Sequence, residues 1–119
     1  MVSRAINGLA VLFVTGLILV SGISYAGELR KVETKYVCMV NNEVMGKPQI
    51  PVKVGDKTYY GCCETCAGTL KKDRKARFAI DPVSSKEVDK AKAVIGAKPN
   101  GEVLYFESEK TFQSFIKGK

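Results

Sequence analysis

The sequence contains no histidine. That absence removes the commonest general base and proton shuttle at neutral pH, and with it most hydrolytic machinery. It also deprives any zinc site of imidazole, so four thiolates, or three with a carboxylate, would have to serve. No Ser-His-Asp set can be written, and no paired-carboxylate pocket, phosphate-cradling loop or dinucleotide motif occurs. Acidic residues are few, 12 Asp plus Glu against 19 Lys plus Arg, for a net charge of +7. Much of the excess lies in "KKDRKAR", Lys71 to Arg77. Clustered positive charge can mark a nucleic-acid or membrane contact, but a solvated helix face accounts for this run. No catalytic residue is expected.

Long apolar runs are almost absent as well. The one exception is "LAVLFVTGLILV", Leu9 to Val20, preceded by Arg4 and followed by Ser24-Tyr25-Ala26. A positive start, a short apolar core and a Ser-x-Ala end are the parts of a secretory signal peptide. Residues 1–26 are read as that leader, with cleavage after Ala26. The rest of the chain is then extracytoplasmic, periplasmic or secreted, where nucleic acid is not an expected partner. A retained leader, stretching from Ala5 to Ile23 towards the roughly 20 residues of a membrane span, is the alternative. Membrane contact is expected only in that case. Gly27 rather than Cys argues against a lipid-modified N-terminus.

Behind the leader the chain is long enough for one small domain. Residues 27–35 read as a polar tether. Two similar stretches follow, 36–78 and 79–119. In the first, Val52 to Val54 and Lys57 to Tyr60 read as strands around Gly55-Asp56, ahead of a helix from about Glu64 to Arg77 with an Asp73/Arg77 pair. In the second, "AVIG" and "EVLYF" are strands around Pro99, Asn100 and Gly101. Ser108 then N-caps the helix "EKTFQSFIK", which Gly118 ends. Laid together, Tyr59-Tyr60-Gly61 falls on Leu104-Tyr105-Phe106, Cys62 on Glu107, Cys63 on Ser108 and Cys66 on Thr111. Tyr59, Tyr60, Tyr105, Phe106, Phe112 and Phe115 recur in step and read as shared core. The expectation is an α+β protein of two tandem treble-clef-like hairpin–helix units.

All four cysteines lie in the first unit: Cys38, Cys62, Cys63 and Cys66. With a helix starting near Cys63, Cys62 and Cys66 share one face, about 6 Å apart at their β-carbons. Cys38 adds a thiol from a loop. Two thiols at a helix head plus one from a loop is the ligand layout of a small metal site. Helix placement and neighbouring basic residues favour the thiolate that binds metal.

These residues resemble a known group. Cys38, the distant Cys62 and Cys66, and the junction "GDKTYYGCCETC" are similar to the TRASH domains, cysteine modules associated with heavy metals, and to the related YHS domains. "DPVSSKEVD", Asp81 to Asp89, resembles the opening of a YHS unit with Ser84 and Ser85 in place of Cys and Gly. The resemblance implies metal ligands at Cys38, Cys62 and Cys66, and a second unit that has lost its own. Cys63 is an extra thiol that would assist or exchange.

Soft sulfur ligands suit Cu(I), which accepts two or three thiolates and sometimes a Met thioether. Met39 and Met45 follow Cys38 and are the optional ligands; core filling is their ordinary role. Copper is therefore the expected ion, with zinc second and mercury or another thiophilic ion third. Carriage, buffering or delivery of the ion to a transfer partner is the expected role. The rival is a pair of disulfides stapling an exported interaction module with a basic helix. Cys63-Glu64-Thr65-Cys66 also spells a redox C-x-x-C, without the βαβ context of a thioredoxin.

Overall fold

The computed structural model describes residues 29–118, so the expected leader, residues 1–26, lies outside the described part. The first half holds β1 (Arg30–Val32), a 3-10 turn (Thr34–Tyr36), β2 (Val37–Cys38), β3 (Glu43–Val44), β4 (Ile50–Val54), β5 (Lys57–Gly61), α1 (Glu64–Lys72) and α2 (Arg74–Arg77). The second holds β6 (Phe78–Ile80), β7 (Glu87–Asp89), β8 (Val94–Ala97), β9 (Val103–Phe106) and α3 (Glu109–Lys117). Three helices over several small antiparallel sheets make the expected α+β class. No helix among the described residues is long and apolar enough to cross a membrane.

Local chemistry sets the boundaries. Gly55 closes β4 onto β5 at φ 66°, in the left-handed region that glycine enters without steric cost. Ser108 caps α3 by accepting from the amide of Thr111 at 3.3 Å. The expected helix from Glu64 to Arg77 is broken at Asp73. That residue leaves helical geometry (φ −107°, ψ 108°), and its carboxylate accepts from the Lys75 amide to start α2. Arg77 therefore makes no pair with Asp73. It turns back to the carbonyls of Leu70 and Lys71 at 2.7 and 3.3 Å. Arg74 binds Glu87 with both guanidinium nitrogens, at 3.1 and 3.2 Å. The basic run is thus partly built into the fold.

The two stretches share one core and one sheet. β1, expected within the tether, pairs with β8 and so ties the start of the domain to the second half. Val44 N–H donates to Gly101 C=O, and Val103 N–H to Asn42 C=O. One apolar core takes Val37, Met39, Val52, Tyr59 and Leu70 from the first half and Ile95, Ala97, Val103 and Tyr105 from the second. Tyr59 hydroxyl and Lys57 ammonium meet the Asp89 carboxylate across the join, at 2.7 and 2.6 Å. A smaller cluster packs Phe112 and Phe115 edge-on against Phe106, beneath Leu29.

The halves do correspond locally, with one correction of register. Cys63 and Ser108 occupy the same N-cap position with nearly the same extended backbone. Ser84, however, does not stand opposite Cys38; Asp81 does. Cys38 and Asp81 each accept, through the backbone carbonyl, from the amide four residues on, Asn42 at 2.7 Å and Ser85 at 2.8 Å. Asn42 and Ser85 are the two described non-glycine residues with positive φ, 59° and 64°. The Cys38 sulfur accepts from the amide of Asn41, and the Asp81 carboxylate from that of Ser84, each three residues ahead. In the second half, that carboxylate spans from its turn to the head of α3. It accepts from Glu107 N–H at 2.8 Å and Thr111 hydroxyl at 2.7 Å, the positions of Cys62 and Cys66.

Candidate metal centre

Each thiol of the first half is placed by backbone bonds. Cys38 ends β2, and the turn after it is held to β5 by the Met39 amide donating to Tyr60 C=O at 2.9 Å. That bond brings Cys38 beside the end of β5, where Gly61 leads directly into Cys62. Cys66 lies in the first turns of α1 and faces inward, 7% exposed. Cys38 is fully buried and Cys62 half-buried.

The three sulfurs converge. Cys62 and Cys66 are 3.6 Å apart and Cys38 and Cys66 3.9 Å, with all three within 4.8 Å of one another. A trigonal ion bound at about 2.3 Å to each thiolate requires sulfurs about 4 Å apart. The described geometry is close to that requirement, so the residues present fit a thiophilic ion. All four cysteines are free thiols. Cys63 is not in the cluster: it is exposed at the N-cap of α1, on the rim beside Cys62. Met39 is fully buried in the shared core, and Met45 is half-buried beyond β3.

The environment divides the thiols electrostatically. Burial works against the Cys38 thiolate, but the amides of Asn41 and Val40 outweigh it and hold this thiol below its ordinary value. Burial, reinforced by hydrogen bonding to Cys62, Cys63 and Cys38, pushes Cys66 up to about 12. Cys62 is raised, first of all by its hydrogen bond with Cys38. Cys63 makes no capping hydrogen bond, yet the nearby amide of Cys66, more than any other group, lowers its value. Thiols that must shed protons to ligate make a site whose occupation is linked to pH.

Two asparagines escaped the sequence reading. Asn41 donates its amide N–H to Cys38 Sγ at 3.5 Å and its side-chain amide to Cys62 Sγ at 3.6 Å. Asn42 turns the loop through its positive φ, and its side-chain oxygen accepts from Lys90 at 3.0 Å and Tyr105 at 2.8 Å. The adjacent pair "NN" three residues past Cys38 was the available signal, because asparagine tolerates the left-handed region. Lys90 is 4% exposed, and burial lowers its value to about 8. Its ammonium also donates to Met39 C=O at 2.7 Å.

Gly61 is required by close approach. A β-carbon there would lie 3.0 Å from Cys66 Cβ and 3.2 Å from the Ala67 amide nitrogen. Gly61→Ala should displace the head of α1 and cost about 1–3 kcal/mol, as overpacking of a tight contact does. The denaturant midpoint and a soft-metal titration should fall together in this variant. A stable variant with unchanged metal affinity would show that the helix head is not held against β5.

No curated protein and no solved structure matches the chain. Residues 36–77, the segment that supplies all three converging sulfurs and both asparagines, match the family model described as the archaeal TRASH domain, a metal-binding family.

Proposed function

We propose that the protein is an extracytoplasmic carrier of a soft metal ion, Cu(I) before zinc, exported by its leader and bound through Cys38, Cys62 and Cys66. The observation that carries this reading is the convergence of three unpaired sulfurs within 4.8 Å of one another. Three thiolates complete a Cu(I) site, whereas zinc would need a fourth ligand brought in from outside the cluster. The role is carriage or delivery, not catalysis: what the site offers is three converging soft ligands. The half-buried Cys62 and the exposed Cys63 place the approach on one side, while Cys38 and Cys66 close the other. An incoming thiol from a transfer partner can join on that open side before a resident thiolate leaves.

Binding is coupled to proton release. With Cys66 pushed up to about 12 and Cys62 also raised, these thiols are protonated at neutral pH in the absence of an ion. Each must deprotonate to ligate, so affinity should rise with pH and fall as acid competes for the sulfurs. Reduced protein titrated anaerobically with Cu(I) should take up one ion per chain and release between about two and three protons at neutral pH. The copper should then pass to a stronger thiol chelator. Two disulfides in freshly isolated protein, with no uptake after reduction, would instead support the stapled interaction module.

A further inference from the structure

The Cys-free half contributes a buried cation, Lys90, with no counter-ion among the described residues. Lys90 follows β7, and its acceptors are Met39 C=O and the Asn42 side chain, both neutral. The neighbouring carboxylate, Asp89, is already occupied by Lys57 and Tyr59. Among the described residues no carboxylate lies within ion-pair distance of Lys90. The Tyr105 ring lies 5.0 Å away and offers its face, not a charge. A buried ammonium left without an opposite charge is costly. The loop it grips is the loop of Cys38, through the carbonyl of the next residue and the side chain of Asn42.

The geometry points to Lys90 as the residue that selects the charge of the bound complex, favouring ions whose tris-thiolate complex is negative. The inference rests on metal binding at Cys38, Cys62 and Cys66. The balance differs with the ion. Cu(I) and three thiols give a doubly negative complex and three released protons; Hg(II) and three thiols give a singly negative one and three protons. Arsenous acid and three thiols give a neutral complex and three waters. A buried cation therefore stabilises the first most and the last hardly at all. Lys90 would make the site discriminate among soft ions that the sulfurs alone would not separate by charge.

The test is a ladder of affinities for Cu(I), Hg(II) and arsenite, measured against competing chelators on the wild type, Lys90→Met, Lys90→Gln and Tyr105→Phe. At an effective dielectric near 20, loss of one buried charge should weaken binding by about tenfold per negative charge on the complex. Lys90→Met and Lys90→Gln should therefore lose about 100-fold for Cu(I), about tenfold for Hg(II) and less than about threefold for arsenite. Tyr105→Phe removes the other donor to Asn42 without removing charge, and should shift all three ions by a similar, small factor. Equal losses for all three ions in the Lys90 variants would reduce Lys90 to a residue that positions the loop, overturning the inference. So would failure of both neutral variants to fold, which would assign the lysine to stability alone. If the wild type binds none of the three ions, it is the carrier reading that falls.

Discussion

Cys66→Ser should lower Cu(I) affinity by at least about a thousandfold, and Cys38→Ser and Cys62→Ser should do nearly as much. A hydroxyl is a poor ligand for a soft ion, and a site with two remaining sulfurs loses the trigonal arrangement that encloses it. Cys66 stands first because it is the common neighbour, 3.6 Å from Cys62 and 3.9 Å from Cys38. Cys63→Ser should change affinity by less than about fivefold, because its sulfur lies outside the cluster and serine is the better N-cap. It should, however, slow transfer to an acceptor thiol if the rim cysteine assists exchange. Competition titration for affinity and stopped-flow transfer for rate separate the two roles. A Cys63→Ser loss as large as that of Cys62→Ser would mean the adjacent cysteines have been assigned the wrong way round.

Asp81→Asn should destabilise the fold by about 3 kcal/mol, since it breaks a buried, fully hydrogen-bonded carboxylate. Asp81 is 0% exposed and accepts four hydrogen bonds, from the amides of Val83, Ser84 and Glu107 and the Thr111 hydroxyl. An asparagine would turn an NH2 group towards donors that need an acceptor. For a domain of this size the melting temperature should drop by about 15 °C. Burial opposes ionisation of Asp81, but the amide of Glu107, the Thr111 hydroxyl and the turn amides outweigh it and keep its value below the ordinary one. Because the folded value is depressed, the stabilisation is present above the unfolded value of about 3.9 and is lost as the pH falls through the folded value. The wild type should thus lose more stability in that acid window than the variant, in which Asp89, also held below its ordinary value, still titrates. An Asp81→Asn protein that melts like the wild type would show that the carboxylate does not hold the second half together.

That carboxylate stands, in the second half, where the thiol cluster stands in the first. Asp81 joins its turn to the head of α3, the connection an ion would make between Cys38 and the head of α1. The sequence alone pointed to Ser84 as the residue that had replaced a cysteine, and it read Asp81-Pro82 as a turn. Hydrogen bonds, not residue types, reveal the register, and they are invisible until the loop is folded.

Other features were legible for identifiable reasons. Gly55 and Ser108 announce a turn and a cap through their own stereochemistry, so both hairpins and α3 lie where expected. The helix spacing of Cys62 and Cys66 placed their sulfurs together, and Cys38 joined them from the loop as expected. β1 was not legible because its three residues, Arg30-Lys31-Val32, carry a strand's pairing without a strand's composition. The break at Asp73 was missed because the residues around it favour helix, while the aspartate prefers to cap. Nothing in the sequence around Lys90 sets it apart from the other lysines. Only its burial against the Cys38 loop distinguishes it.

The most direct test of the three-sulfur centre is to alkylate reduced protein with and without one equivalent of Cu(I) and map the modified cysteines by mass spectrometry. Cys38, Cys62 and Cys66 should all be protected by the ion, while Cys63 remains open to the reagent in both states. Protection of Cys62 and Cys63 with Cys38 left reactive would contradict the site.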